Sequence, residues 1–278
     1  MTSGNYDYIR DMVKERSGLV VTPDKTYLIE TRLAPVARSH GFETIDEMVE
    51  DLLRQPNEAL TVEVTEALNT HESLFFRDHA PFDLFEKKLL PELIKRRDTK
   101  RRIRVWCAAC SSGQEPYSLA MIVDNMGQKL GGWSVDIVAT DISHAVLKRA
   151  QDGLFSQFEV QRGLPVQYLV KYFTQDGEYW RVNQTIRDRV DFRPFNLLNP
   201  PRTLGTFDVV FCRNVLIYFD IETKTRVLSS IRGVLADDGV LFLGSAESTM
   251  GLSKELWPVE AGRGVYKHTQ SPSSIAGD

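Results

Sequence analysis

From residue 103 onward the chain alternates short apolar runs with stretches whose apolar residues recur at helical spacing, and no other feature restricts the fold as strongly. Segments 103–108, 135–140, 190–195, 207–212 and 239–244 read as strands, and helices are predicted between them at 115–126, 144–151 and 221–234. Repeated strand, helix and strand close as a parallel sheet with right-handed crossovers, so the expected class is α/β, doubly wound and mostly parallel. Segment 155–190 breaks the rhythm. There the turn signal Asp176-Gly177 precedes the strand-like Tyr179-Trp180-Arg181-Val182, which predicts a small antiparallel β-insertion.

The first 75 residues carry helical signals alone. Ile9, Met12, Val13 and Arg16 recur at helical spacing before a Ser17-Gly18 stop. Thr22 and Pro23 predict the start of a second helix running toward Gly41, with Pro35 expected to kink or split it. Thr44-Ile45-Asp46-Glu47 reads as a capping box, and Asn57 as the cap of a helix carrying Val62, Val64 and Leu68. The expected organisation is an N-terminal all-helical domain at 1–75, an α/β domain at 76–268 with the insertion at about 155–190, and a disordered tail at 269–278, rich in Ser, Pro and Gly.

Composition excludes several classes. A hydrophobic share of 42% with 26% charged residues is neither disordered nor collagen-like. No apolar run reaches the roughly 18 residues that a membrane helix requires, and residues 1–7 lack the marks of a secretory signal, so a cytoplasmic protein without membrane insertion is expected. A formal charge of −4 argues against nucleic acid as an obligatory partner. The basic run Arg96-Arg97 to Lys100-Arg101-Arg102 is expected to be a solvated helix end. Cys107 and Cys110 form a lone C-x-x-C without a matching second ligand pair, so they are expected to be small packing residues, with no metal.

Ligands of open α/β sheets sit beyond the carboxyl ends of the strands. After the first strand comes Cys110-Ser111-Ser112-Gly113-Gln114-Glu115, which has neither G-x-G-x-x-G nor a Walker loop and so suits a nucleoside without phosphates, such as S-adenosylmethionine. Asp141 ends the second strand, where a carboxylate can accept from both ribose hydroxyls; the rival reading is a cap for the helix near His144. Arg213 and Asn214 follow the fourth strand, where the reacting end of the ligand would lie, or else form a plain strand-end turn. Asn199-Pro200-Pro201 is similar to the motif of base-amine methylating enzymes. It precedes that strand instead of ending it, and Arg202 replaces the stacking aromatic, so a turn is expected.

Residues 68–77 (Leu-Asn-Thr-His-Glu-Ser-Leu-Phe-Phe-Arg), 111–118 (Ser-Ser-Gly-Gln-Glu-Pro-Tyr-Ser), 139–142, Asn196-Leu197-Leu198 and 211–220, in this order, resemble the CheR-type chemotaxis receptor methyltransferases. The resemblance implies a Rossmann-like methyltransferase sheet that uses S-adenosyl-L-methionine, leaves S-adenosyl-L-homocysteine and esterifies glutamates on the cytoplasmic helices of methyl-accepting chemotaxis receptors. It also implies cofactor contacts at His71, Ser73, Arg77, Glu115, Asp141, Asn196, Leu197, Arg213 and Asn214, with Arg77 and Tyr218 at the reacting centre. The family often has Asn and Thr where this chain has His71 and Ser73. The insertion resembles a β-subdomain that docks a receptor tail peptide in some members, but its Asp176-Gly177 turn is shorter here. A monomer is expected.

A receptor glutamate, with an ordinary pKa near 4.3, is already ionised at about pH 7, so the reaction needs placement and exclusion of water, not a base. Arg77 is expected to hold a carboxylate in a two-pronged grip, and the Tyr218 hydroxyl to orient the nucleophile or line the methyl pocket. Arg32 and Arg38, on a stretch without acids, are the candidate basic face for the acidic receptor helix, against the alternative of an ordinary solvated face. Two other functions fit the same fold: a non-catalytic adapter of receptor arrays, and a methyltransferase for another protein or a small molecule.

Overall fold

The computed structural model describes residues 1–260 and 262–268; the expected tail at 269–278 lies outside them. The chain divides into two compact units, Met1–Thr70 with Tyr218–Thr223, and His71–Ile217 with the residues from Lys224 onward.

The first unit holds α1 (Ser3–Ser17), α2 (Thr26–Ser39), α3 (Ile45–Arg54) and α4 (Glu58–Leu68). Thr2 caps α1 by accepting the Asn5 N–H, and Gly18 ends it at φ 79°, a left-handed value that glycine adopts without penalty. Ile9, Val13, Ile29, Leu33, Met48, Val49 and Val64 are fully buried in one core, against which Tyr218 packs. The carbonyl of Tyr218 accepts from Val20 N at 2.9 Å, and Lys14 pairs with Asp220 at 2.8 Å, which holds the Asp220 carboxyl well below its usual range.

Three local expectations need correction. Pro23–Lys25 forms a separate 3-10 turn, so Thr22 caps nothing and α2 starts at Thr26. That helix is not split at Pro35: an interior proline costs about 3 kcal/mol, and burial of Leu33, Val36 and Ala37 around it offsets the loss. Thr44 caps α3 as expected, accepting Glu47 N at 3.1 Å, but the Glu47 carboxylate reaches past the cap to Glu43 N at 2.9 Å. Asn57 accepts Leu60 N at 3.2 Å and caps α4 as read.

The second unit begins with α5 (Ala80–Leu84), continued by a π-helical turn at Phe85–Leu89 into α6 (Leu90–Arg96). Then come β1 (Arg102–Ala108), α7 (Gln114–Met126), β2 (Ser134–Asp141) and α8 (His144–Asp152). The insertion follows as β3 (Leu154–Ser156), α9 (Gln157–Gln161), α10 (Val166–Tyr172), β4 (Phe173–Asp176) and β5 (Tyr179–Val182), its strands antiparallel in the order β3-β5-β4. After α11 (Gln184–Arg187) the main sheet resumes with β6 (Val190–Pro194), β7 (Phe207–Cys212), α12 (Ile221–Arg232) and β8 (Leu235–Leu243), and ends with β9 (Trp257–Pro258) and β10 (Val265–Lys267).

The seven strands run in the order β6-β2-β1-β7-β8-β10-β9. Pairing is parallel from β6 through β8 and antiparallel at β10 and β9, two short strands absent from the sequence reading. Both faces are sealed by aromatics. Phe211 stacks on Phe242 at 4.4 Å, and Trp106 lies between Phe207 and Phe195 at 5.5 and 6.0 Å. Asn199-Pro200-Pro201 is a turn before β7, as expected.

At the amino edge of the sheet Arg96, Lys100, Arg101 and Arg102 are exposed, as expected, but Arg97 is not. Arg97 Nε donates to Asp208 at 2.8 Å and its Nη1 to Asp238 at 3.0 Å, while Asp208 also accepts Arg104 N at 2.8 Å. The two acids lie 111 and 141 residues away, so local sequence holds no sign of them. With Arg97 and Asp208 only 16% and 13% exposed, Arg97→Met leaves a largely buried carboxylate short of its partner. We expect a loss of about 2 kcal/mol in urea unfolding, with the denaturant slope unchanged.

Candidate active site

The chain leaves β1 first toward β2 and β6, then returns to the other side through β7 and β8, so the strand order reverses between β1 and β7. The crevice at their carboxyl ends is where the ligand of such a sheet binds. The loop from β1 into α7 passes through left-handed backbone at Ala109 (φ 61°), Ser111 (φ 51°) and Gly113 (φ 94°). Only glycine suits the last of these, since a Cβ there would stand 3.1 Å from both Ala150 and Tyr117.

Asp141, 5% exposed, holds this loop. One carboxylate oxygen accepts Ser111 N at 2.9 Å and the other Ser143 N at 3.1 Å. Ser143, not Asp141, caps α8 by accepting Val146 N at 3.2 Å, so the rival reading of Asp141 as a helix cap fails. Each oxygen still has a lone pair for a further donor. Across the loop, Ser111 Oγ donates to the carbonyl of His71 at 2.8 Å, and Phe195 N donates to the carbonyl of Asp141 at 2.9 Å, which brings the Asn196-Leu197 turn alongside. Within that turn Asn196 accepts Leu198 N at 3.0 Å, and Ser73, Asn196 and Leu197 are half-buried.

Arg213, its side chain 2% exposed, is the centre of the other half. It donates to Glu115 at 3.1 Å, to the Asp78 carboxylate at 2.7 Å and to the Arg77 carbonyl at 2.9 Å, and it lies over the Phe82 ring. Burial raises the pKa of Glu115 above the usual carboxylate range, and the Arg213 charge opposes that rise. The grip on residues 77 and 78 also explains a strained segment: Phe76, Asp78 and His79 have φ 50°, 67° and 44°, at a cost of about 1–3 kcal/mol each for non-glycine residues. Arg77 itself donates only weakly, to the Glu72 carbonyl at 3.4 Å, and meets no carboxylate among the described residues.

Glu247, absent from the sequence reading, accepts four backbone N–H groups. Asn214 N (2.8 Å) and Gly244 N (2.6 Å) meet one oxygen, and Val215 N (3.0 Å) and Ile217 N (3.2 Å) the other. The one signal that points to it is an acid three residues past the glycine that follows β8.

Hydrogen bonds thus join His71, Asp141 and the turn at Asn196 in one group of the second unit, and Arg77, Glu115 and Arg213 in another. Tyr218, Arg32 and Arg38 belong to the first unit. There Arg32 is not a free basic group: it caps the end of α4, donating to the carbonyls of Leu68 (2.6 Å) and Asn69 (3.1 Å) and to the Thr70 hydroxyl (3.2 Å). Arg38 is exposed and has no acidic partner among the described residues.

Cys107, Cys110 and Cys212 are free and buried, and burial raises each thiol well above its usual pKa, as suits packing residues. Among the described residues no three His, Cys, Asp or Glu side chains are grouped to hold a metal ion, and no helix is long and apolar enough to cross a membrane. Two carboxylates, one with unused lone pairs and one at a helix start, fit a hydroxyl-rich, cationic nucleoside better than a phosphate.

Residues 71–264 match the family described as CheR methyltransferase, SAM binding domain, and residues 4–68 its all-alpha domain. Fold, site and the first of these matches define the class: an S-adenosylmethionine-dependent methyltransferase with a Rossmann-like sheet. The chain is 39% identical over 274 residues to chemotaxis protein methyltransferase Cher2 of Pseudomonas putida, covering 95% of this chain and 98% of that protein. It is 40% identical over 273 residues to chemotaxis protein methyltransferase 1 of Pseudomonas aeruginosa (95% and 98%), and 37% over 265 residues to its namesake of Vibrio cholerae (94% and 95%). The chain belongs to the CheR methyltransferase family and works in chemotaxis.

Proposed function

We propose that the protein transfers a methyl group from S-adenosylmethionine to glutamate side chains on the cytoplasmic helices of methyl-accepting chemotaxis receptors, acting as a cytoplasmic monomer. The observation that carries this reading is the family match along both units, joined to a site that offers carboxylates and a guanidinium. When bound, the cofactor supplies an activated methyl on a cationic sulfur. Everything else falls to the chain. Asp141 accepts from the ribose hydroxyls, and Glu115, paired with Arg213, faces the cationic end. His71, Ser73, Asn196, Leu197 and Asn214 line the remaining contacts. Arg77, without a carboxylate of its own, takes one from the ligands, and Tyr218 offers a hydroxyl to the acceptor. Because the acceptor is already an anion, no proton has to move.

The test is transfer of labelled methyl to a candidate receptor, followed by alkali. Release of label as methanol supports a glutamyl ester; alkali-stable label points to an amine or ether product, and absence of label to an adapter.

On the first unit, Arg38 is the exposed cation left for an acidic receptor helix once Arg32 is committed to α4. Arg38→Glu is expected to slow receptor association by about threefold or more at low salt and to flatten its salt dependence, with S-adenosylhomocysteine affinity unaltered. Stopped-flow association rates across a salt series check this.

A further inference from the structure

We propose that Glu247 is a positioning residue for methyl transfer: its carboxylate fixes the backbone of residues 214–217, the segment that carries the end of β7 toward Tyr218. This rests on the methyl-transfer reading above and assigns a role to a residue outside the five segments that carry the resemblance. Glu247 is 8% exposed, and its carboxylate accepts four main-chain N–H groups, one of them on Asn214 in left-handed backbone at φ 59°. Asparagine tolerates left-handed backbone better than most non-glycine residues, and the Glu247 carboxylate holds it there by accepting its N–H. The fit is tight: a Cβ on Gly244 would stand 2.7 Å from both the Glu247 carboxylate and the Asn214 side-chain amide, and 2.9 Å from Asn214 N. A carboxylate is required because all four partners are donors. A glutamine would turn its NH2 group toward two of them. Asn214 lies on this segment and Arg213 directly precedes it, so a displacement by a fraction of an ångström moves the reacting end while the Asp141 side stays in place.

Amide hydrogen exchange on the wild-type protein comes first. The N–H groups of Asn214, Val215 and Ile217 should be protected to the level of β7, and exchange at the rate of open loops overturns the proposal whether or not a receptor is the substrate. In Glu247→Gln these amides should exchange about tenfold or more faster with β7 unchanged, and kcat should fall by at least about tenfold, a larger factor than any loss of S-adenosylhomocysteine affinity through Asn214. Gly244→Ala, which keeps the charge and crowds it, should show the same split. A merely structural role would lower the folded fraction and leave kcat per folded molecule intact. That outcome, or wild-type exchange in both variants, overturns the proposal; a wild-type protein that transfers no methyl to receptor refutes the substrate reading instead, leaving the exchange result standing.

Discussion

Asp141→Asn is expected to weaken S-adenosylhomocysteine binding by about thirtyfold or more, the equivalent of losing about 2 kcal/mol from charge-assisted bonds to the ribose. Asp141 has both oxygens committed to backbone donors, Ser111 N and Ser143 N, with lone pairs left for the ligand. The asparagine must present an amino group to one of those N–H groups, which disturbs the loop as well as the grip. Calorimetry below the unfolding temperature of the variant separates the two effects, since loop damage alone also shows as a drop in that temperature. Wild-type affinity in the folded variant would remove Asp141 from the cofactor site.

Arg213→Met is expected to have the largest effect on folding, about 3–5 kcal/mol by urea denaturation, because it leaves Glu115 beside an apolar side chain with no cationic partner in hydrogen-bond reach. Asp78, more exposed, regains water and contributes little. The loss should depend on pH. The pKa of Glu115 already lies above its ordinary value through burial, and losing the Arg213 charge raises it further. A carboxyl that binds its proton more tightly when folded stabilises the fold under acid conditions, and that stability is lost as pH rises through the interval between the unfolded and folded values. The deficit of R213M is therefore greatest near pH 7 and shrinks towards about pH 5. Adding Glu115→Gln should recover much of it and abolish that trend. A deficit that does not vary with pH would show that Glu115 is not the group left exposed to the loss.

Strands β1, β2 and β7 were legible to within one residue at each end because both their faces are buried and their apolar runs are nearly unbroken. The start of β8 was not. Ala236-Asp237-Asp238, just after its first residue, reads as a loop, and these residues form an irregularity in the ladder between the pairs Phe207–Leu235 and Val209–Val240. At three residues β10 is too short for any periodicity to register. In the site, Asp141 and Arg213 were found because they follow strands, the one place where the fold class says to look. Two other members of the site were not found: Asp78 meets Arg213 across 135 residues, and Glu247 binds main-chain groups, which leave no mark in the identity of the residues that carry them.

This last point bears on how the chain can drift. A tether that recognises peptide groups is indifferent to the side chains attached to them, so Val215 and Ile217 are open to exchange for many residues other than proline while their anchor is not. The segment that follows β7 is therefore free to diversify without loss of the tether that holds it.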